Sequence, residues 1–228
     1  LAHEIAHQWW GQNVSWASYR DQWLSEGMAQ FGAILYLRGK YGEAAFGAIL
    51  KKLASWTERK SVYGPINLGS RLSILDFEAY QAIVYDKAAM ALKSLLDLCG
   101  EDVLFGALRE FQETFRGRLA GTRDLRRILE ARAGRDLGPF FEKWFSTHTL
   151  PDVRVTKQVV SGPEGTEVRV TVQQPGEVFP FPLWVEWREG AGRTRSEMVV
   201  VDQASHVFRF PAGPKPGRIA VNPRKAVP

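Results

Sequence analysis

Residues 1–12 read LAHEIAHQWWGQ, and the stretch from His3 to His7, H-E-I-A-H, decides how the rest of the chain is read. On an α-helix, positions i and i+4 lie on one face about one turn apart, so His3 and His7 can grip one ion with both imidazoles. Glu4, displaced around the cylinder, reaches the open side of that ion. Gly11 and Asn13 provide the stop signal for a helix running from Leu1 to about Gln12.

A third ligand stands in W-L-S-E-G-M-A, residues 23–29, where Glu26 sits on a second helix entered after a Trp-containing loop long enough to let the two helices run antiparallel. His3, His7 and Glu26 together form a two-imidazole, one-carboxylate set that leaves one position for water, the pattern of a catalytic rather than a structural zinc ion. One such ion, with net positive charge left on the site, brings the pKa of water toward about 7. Glu4 is then the natural general base. The developing oxyanion needs a donor opposite it, and Tyr85 in V-Y-D-K-A-A-M-A-L, residues 84–92, is the candidate, with Tyr80 and Tyr63 as competitors.

Outward from these residues the pattern stays helical to about residue 150. Helices are expected from 21 to 38 with Gly39 as the stop, from 43 to 59, from 77 to 98, and over 102–116, 122–133 and 136–147, with Thr122 as an N-cap. Residues 60–76 mix Gly, Pro, Asn and Ser with single apolar residues and read as an ordered loop, a candidate cleft wall. After Pro151 the period becomes two, with Val168, Val170 and Val172, then Leu183, Val185 and Trp187, then Phe208 and Phe210 on one face, separated by SGPEG, REGAGR and PAGPKPG turns. That is the signature of a small β-sandwich.

Composition narrows the partners. The 228 residues carry a net charge of +5, but the basic residues are scattered rather than clustered with stacking aromatics, so nucleic acid is not an expected partner. No stretch approaches the roughly 18–20 apolar residues that span a bilayer, and no leader-like segment opens the chain. The single Cys99 excludes an internal disulfide and reads as a small buried hydrophobe. Beginning at Leu1, two residues before His3, the chain reads as a fragment or processed form.

These blocks together resemble the gluzincin zinc aminopeptidases, the family of alanyl aminopeptidases and leukotriene hydrolase. HEIAHQWWG is similar to the family's zinc helix, and Glu26 follows His7 after eighteen intervening residues, as the family's third ligand does. Tyr85 lies in a segment similar to the family's Tyr-Glu-Lys-Gly block, and GRDLGPFFEKWFSTHTLPDV, residues 134–153, looks like the end of its catalytic domain.

The resemblance implies an α+β multidomain chain. Residues 1–150 would form a mainly α-helical, thermolysin-like zinc peptidase domain and residues 151–228 a β-sandwich domain. It implies metal ligation by His3, His7 and Glu26, catalysis by Glu4 and Tyr85, and peptide substrates shortened from their N-termini. An epoxide hydrolase-like zinc hydrolase and a binding scaffold with an inactive site are the alternatives. Ala88 departs from the family's Gly. The family's Gly-x-Met-Glu-Asn block, which holds the substrate amine, belongs upstream of the zinc helix, as does an N-terminal domain expected to complete the cleft.

Overall fold

In a computed structural model, which describes residues 1–163, 165–190, 192–213 and 215–222, the two sequence periods become two units, residues 1–150 and the residues from Pro151 onward.

The first unit is a helical assembly. Helix α1 spans Ala2–Ala6, shorter than the expected twelve residues. The chain leaves it through a turn in which Gln12 N–H donates to His7 O and Gly11, at φ 103°, lets the backbone fold back. A two-residue strand β1, Ser15–Trp16, follows. It pairs in parallel with β2, Leu119–Ala120, so the expected Trp loop is tied to a segment about a hundred residues away.

Helix α2 runs from Trp23 to Lys60 and is broken once, at Gly42 with φ 80° and ψ −177°. Gly39 was the expected stop, but it stays helical, and the residue that leaves helical φ/ψ is the glycine three positions on. The 60–76 segment holds short 3₁₀ turns and a helix α3, Arg71–Leu75, where an element-free loop was expected. Gly69 explains the tight path there, since a Cβ on it would lie 1.8 Å from Tyr19 O.

The long helical stretch comes next in three pieces. They are α4, Phe77–Tyr80, a π-helical segment, Gln81–Lys87, and α5, Ala88–Cys99. Every residue from Ala88 to Leu96 is buried, which makes α5 the centre of the core. Cys99, at its end, is only partly buried. Helices α6, Glu101–Thr114, α7, Thr122–Ala133, and α8, Gly138–Phe141, complete the unit.

The N-cap of α7 is Gly121, and Thr122 is its first helical residue. Its orphan donors are satisfied from afar, because Asp21 accepts from both Thr122 N–H and Thr122 Oγ1 at 2.8 Å. Trp23 Nε1 also donates to Thr122 Oγ1 at 2.8 Å. The start of α2, and with it Glu26, is therefore pinned to the start of α7.

The second unit contains two three-stranded sheets. One has the order β3, Arg154–Gly162, β4, Gly165–Gln173, β7, Ser205–Ala212; the other has β6, Arg193–Val201, β5, Phe181–Glu189, β8, Ile219–Val221. All named pairs are antiparallel. Val168, Val170 and Val172 from one sheet and Phe181, Leu183, Val185 and Trp187 from the other are buried. The Trp187 and Phe210 rings lie 5.3 Å apart across the two sheets. This is the face-to-face packing of a sandwich. On strand β3, Val155 and Val159 are exposed. Within the expected turns and the end of the expected sandwich, residues 164, 191, 214 and 223–228 lie outside the described residues. Among the described residues no helix is long and apolar enough to cross a membrane.

Candidate metal centre

Helix α1 with its C-cap residue, His7, and the start of α2 bring three donor side chains to one point. His3 Nε2 and His7 Nε2 are 3.1 Å apart, and Glu26 Oε2 is 3.5 Å from the first and 3.4 Å from the second. Among the described residues this is the one group of His, Cys, Asp and Glu side chains with metal-ligand geometry. Three ligand atoms on a tetrahedral zinc ion with bonds of about 2.0–2.2 Å stand about 3.3–3.6 Å from one another. Two edges of the observed triangle lie in that range and the third, at 3.1 Å, is just below it, so the donor set fits one zinc ion.

The ring orientations follow from second contacts. His7 Nδ1 lies 3.0 Å from Trp10 O, a carbonyl that can only accept, so the proton sits on Nδ1 and Nε2 keeps its lone pair for the metal. Ser25, beside Glu26 in sequence, adds its hydroxyl at 3.2 Å from the same nitrogen and donates to Trp10 O at 3.3 Å. Tyr85 stacks on His3 with ring centroids 5.6 Å apart, and Tyr80 meets Tyr85 edge-on at 5.4 Å.

Electrostatics follow the geometry. The hydrogen bond to Glu26 raises the pKa of His3 against the opposing effect of burial. Burial would raise that of Glu26, but the hydrogen bond from His3 and the charge on His7 hold it below the usual carboxylate range. The Tyr85 phenol is pushed far up, first by burial and then by the Glu26 charge, so it keeps its proton at neutral pH and can donate.

All five sequence-derived residues, His3, Glu4, His7, Glu26 and Tyr85, line one cavity of about 880 Å³. Tyr63, the other competitor named from the sequence, is exposed and does not line it. The cleft wall comes from Lys52, Trp56 and Arg59 on α2 and from the Gln81–Asp86 stretch, whereas the 60–76 loop does not line it. The 4-and-3 spacing of Lys52, Trp56 and Arg59 on one helix face was the available signal for that wall. Gln30, one turn after Glu26, and Asp86, next to Tyr85, also face the cavity. Gln30 Nε2 donates to Asp86 Oδ1 at 2.8 Å, and burial pushes the Asp86 carboxyl up to about 6.

A family model described as the peptidase family M1 domain matches residues 1–144. The chain is 26% identical over 203 residues to tricorn protease-interacting factor F2 of Thermoplasma volcanium, covering 83% of this chain and 25% of that protein. It is 30% identical over 128 residues to human aminopeptidase N, covering 50% of this chain and 13% of that protein. The chain thus spans a quarter or less of the length of these relatives.

Among solved structures, aminopeptidase A of Legionella pneumophila in complex with aspartic acid superposes with a TM-score of 0.77 at 19% identity, over 96% of this chain and 25% of that one. That is a likeness of fold. A variant M1 zinc metallopeptidase of Deinococcus radiodurans, bound to a Tyr-Ser-Ala substrate, gives 0.52 at 30% identity over 66% of this chain and 33% of that one.

Proposed function

The chain belongs to peptidase family M1, and on that premise we propose that it carries the catalytic centre of an aminopeptidase in which His3, His7 and Glu26 hold a single zinc ion. The carrying observation is the triangle of Nε2, Nε2 and Oε2 atoms with edges of 3.1, 3.4 and 3.5 Å, set in the cavity that Glu4 and Tyr85 also line. When bound, zinc supplies Lewis acidity, polarising the scissile carbonyl and making water a nucleophile near neutral pH.

The chain's own residues do the rest. The Glu4 carboxylate takes a proton from the attacking water and passes it to the leaving amine nitrogen, so no net proton is consumed at Glu4. The Tyr85 hydroxyl, kept protonated, donates to the oxygen that becomes negatively charged as the carbonyl carbon turns tetrahedral. The Trp10 carbonyl holds His7 in the ligating tautomer.

In this reading residues 1–150 are the catalytic domain and residues 151–228 a β-sandwich domain. Peptides enter the 880 Å³ cavity, and an upstream domain of the longer protein supplies the amine-binding carboxylate and the opposite wall. The relatives' much greater length and the names of aminopeptidase relatives support this.

Metal content and aminoacyl-arylamide hydrolysis of the full-length protein, beside a Glu4→Gln variant, test the proposal. One zinc per chain, with activity in the parent and a loss of at least about 100-fold in the variant, is expected. Zinc-loaded protein that hydrolyses no arylamide would sink it.

A further inference from the structure

The cavity at the metal centre has one wall whose charge the hydrolytic step does not use. That wall is the part of α2 beyond Gly42, where Lys52, Trp56 and Arg59 face the cavity. Thr57 Oγ1 donates to Ala82 O at 3.4 Å, which fastens this part of α2 to the π-helical segment that carries Tyr85. Arg59 comes seven positions after Lys52. On a helix two such residues share a face and stand about 10 Å apart along the axis.

Neither cation is neutralised. Just beyond the wall, Lys60 Nζ lies 2.9 Å from Asp76 Oδ2 and 2.9 Å from Glu78 Oε2. Among the described residues Lys52 and Arg59 make no ion pair. The acids of the cavity have other work. In the proposed site Glu26 serves the metal and Glu4 the attacking water, while Asp86 already accepts from Gln30 Nε2 at 2.8 Å. Arg59 is also held in place. Its guanidinium carbon stands 5.1 Å from the centre of the Trp56 ring, and its Nη1 donates to Ser55 Oγ at 3.0 Å. The planar group is thereby set against the wall with further N–H donors available to a carboxylate.

An aminopeptidase keeps a single residue on the amine side of the scissile bond, a backbone span of roughly 3.5 Å. Two cations about 10 Å apart match about three extended residues, a length that only the leaving part of the peptide supplies. We propose that Lys52 and Arg59 recognise a carboxylate on the leaving part of the substrate, so that the enzyme prefers peptides that are acidic beyond their first residue. A cleft wall of one sign concentrates substrates of the other. The carboxylate has two sources, an Asp or Glu side chain and the C-terminus of a short peptide. The inference rests on the aminopeptidase reading of the site.

The test uses the full-length, zinc-loaded protein and peptides in matched pairs. The readout is the ratio of kcat/KM within each pair, in which a general change in activity cancels. One arm compares Glu with Gln at the second, third and fourth positions of C-terminally amidated pentapeptides. The other compares free-acid with amidated tripeptides and tetrapeptides. The parent is expected to favour the acidic member roughly 3–10-fold in at least one arm at low salt, and less as salt rises. The arm that responds identifies the source of the carboxylate.

Lys52→Glu combined with Arg59→Glu is expected to invert the ratio in that arm. Should this double variant fail to fold, Lys52→Gln and Arg59→Gln decide singly, each lowering the ratio toward one. Ratios near one in both arms, or a preference that survives the loss or reversal of charge, overturn the inference. So does a preference that appears only for Asp over Asn as the first residue, which would place the cations on the amine side. A parent that cleaves no peptide of any pair takes down the aminopeptidase reading and the inference with it. A parent that cleaves both members of every pair equally well refutes the role of Lys52 and Arg59 alone.

Discussion

Lys87 is the least expected side chain in the core. It is fully buried, its Nζ donates to Thr147 O at 2.9 Å, and burial lowers its pKa from 10.5 to about 7. At about 1.4 kcal/mol per tenfold, that fall is worth about 5 kcal/mol against the charged form. The folded pKa lies below the unfolded one, so between pH 7 and 10.5 the unfolded chain binds more protons and stability rises with pH.

At pH 7 the penalty from this one group is about 4 kcal/mol, and at pH 9 about 2 kcal/mol. Lys87→Met keeps the length and removes the charge. It forfeits a hydrogen bond worth about 1 kcal/mol. The variant should therefore be more stable than the parent by about 3 kcal/mol at pH 7 and by only about 1 kcal/mol at pH 9. Urea unfolding followed by helical circular dichroism across this range measures both values. A variant no more stable at pH 7, or an advantage that does not shrink as pH rises, would refute the reasoning and show a charged Lys87 in a compensated setting.

Tyr85→Phe should lower kcat by about 10²–10³ with zinc content unchanged, as expected for loss of one oxyanion donor; an unchanged kcat would remove Tyr85 from the mechanism. Gly27→Ala should destabilise the helical unit by about 1–3 kcal/mol. The added Cβ would stand 2.5 Å from Ala88 Cβ and 3.1 Å from Val84 O, and Ala88→Gly should restore part of the loss in a melting experiment. Zinc at about a hundred times its Kd should stabilise the protein by about 2.7 kcal/mol, and Glu26→Ala should abolish that gain.

The meeting of the His3, His7 and Glu26 side chains was legible in the sequence because its signal is local. His3 and His7 are one helical turn apart, and Glu26 lies on the next long helix. Helix existence was likewise readable from spacing, as were the buried faces of β4 and β5. What escaped depended on tertiary contacts. Gly39 and Gly42 are indistinguishable as breakers by composition, and it is the second that leaves helical φ/ψ. Thr122 looked like a self-sufficient cap, yet Asp21 serves its donors from 101 residues away. Gln30 and Asp86 were passed over because a glutamine inside a helix has no pattern of its own, and only their mutual contact marks them. Lys87 offered a charge where the core needed none, and nothing in its neighbourhood of sequence announces full burial.

The π-helical segment Gln81–Lys87 bears on how this chain can change its length. Each residue of an α-helix turns the chain by about 100°, and a π-helical turn accommodates about one residue more than an α-turn. The segment therefore works as a phase shifter between Phe77–Tyr80 and the buried α5. Deleting a single residue within it would let the stretch relax into plain α-helix, and Tyr85 could no longer keep its bearing toward the cavity, with Tyr80 edge-on to it, while Ala88–Cys99 kept theirs toward the core. Substitutions there alter one contact, whereas a one-residue deletion re-times the whole helix. Along Gln81–Lys87, residue count is under tighter structural constraint than residue chemistry.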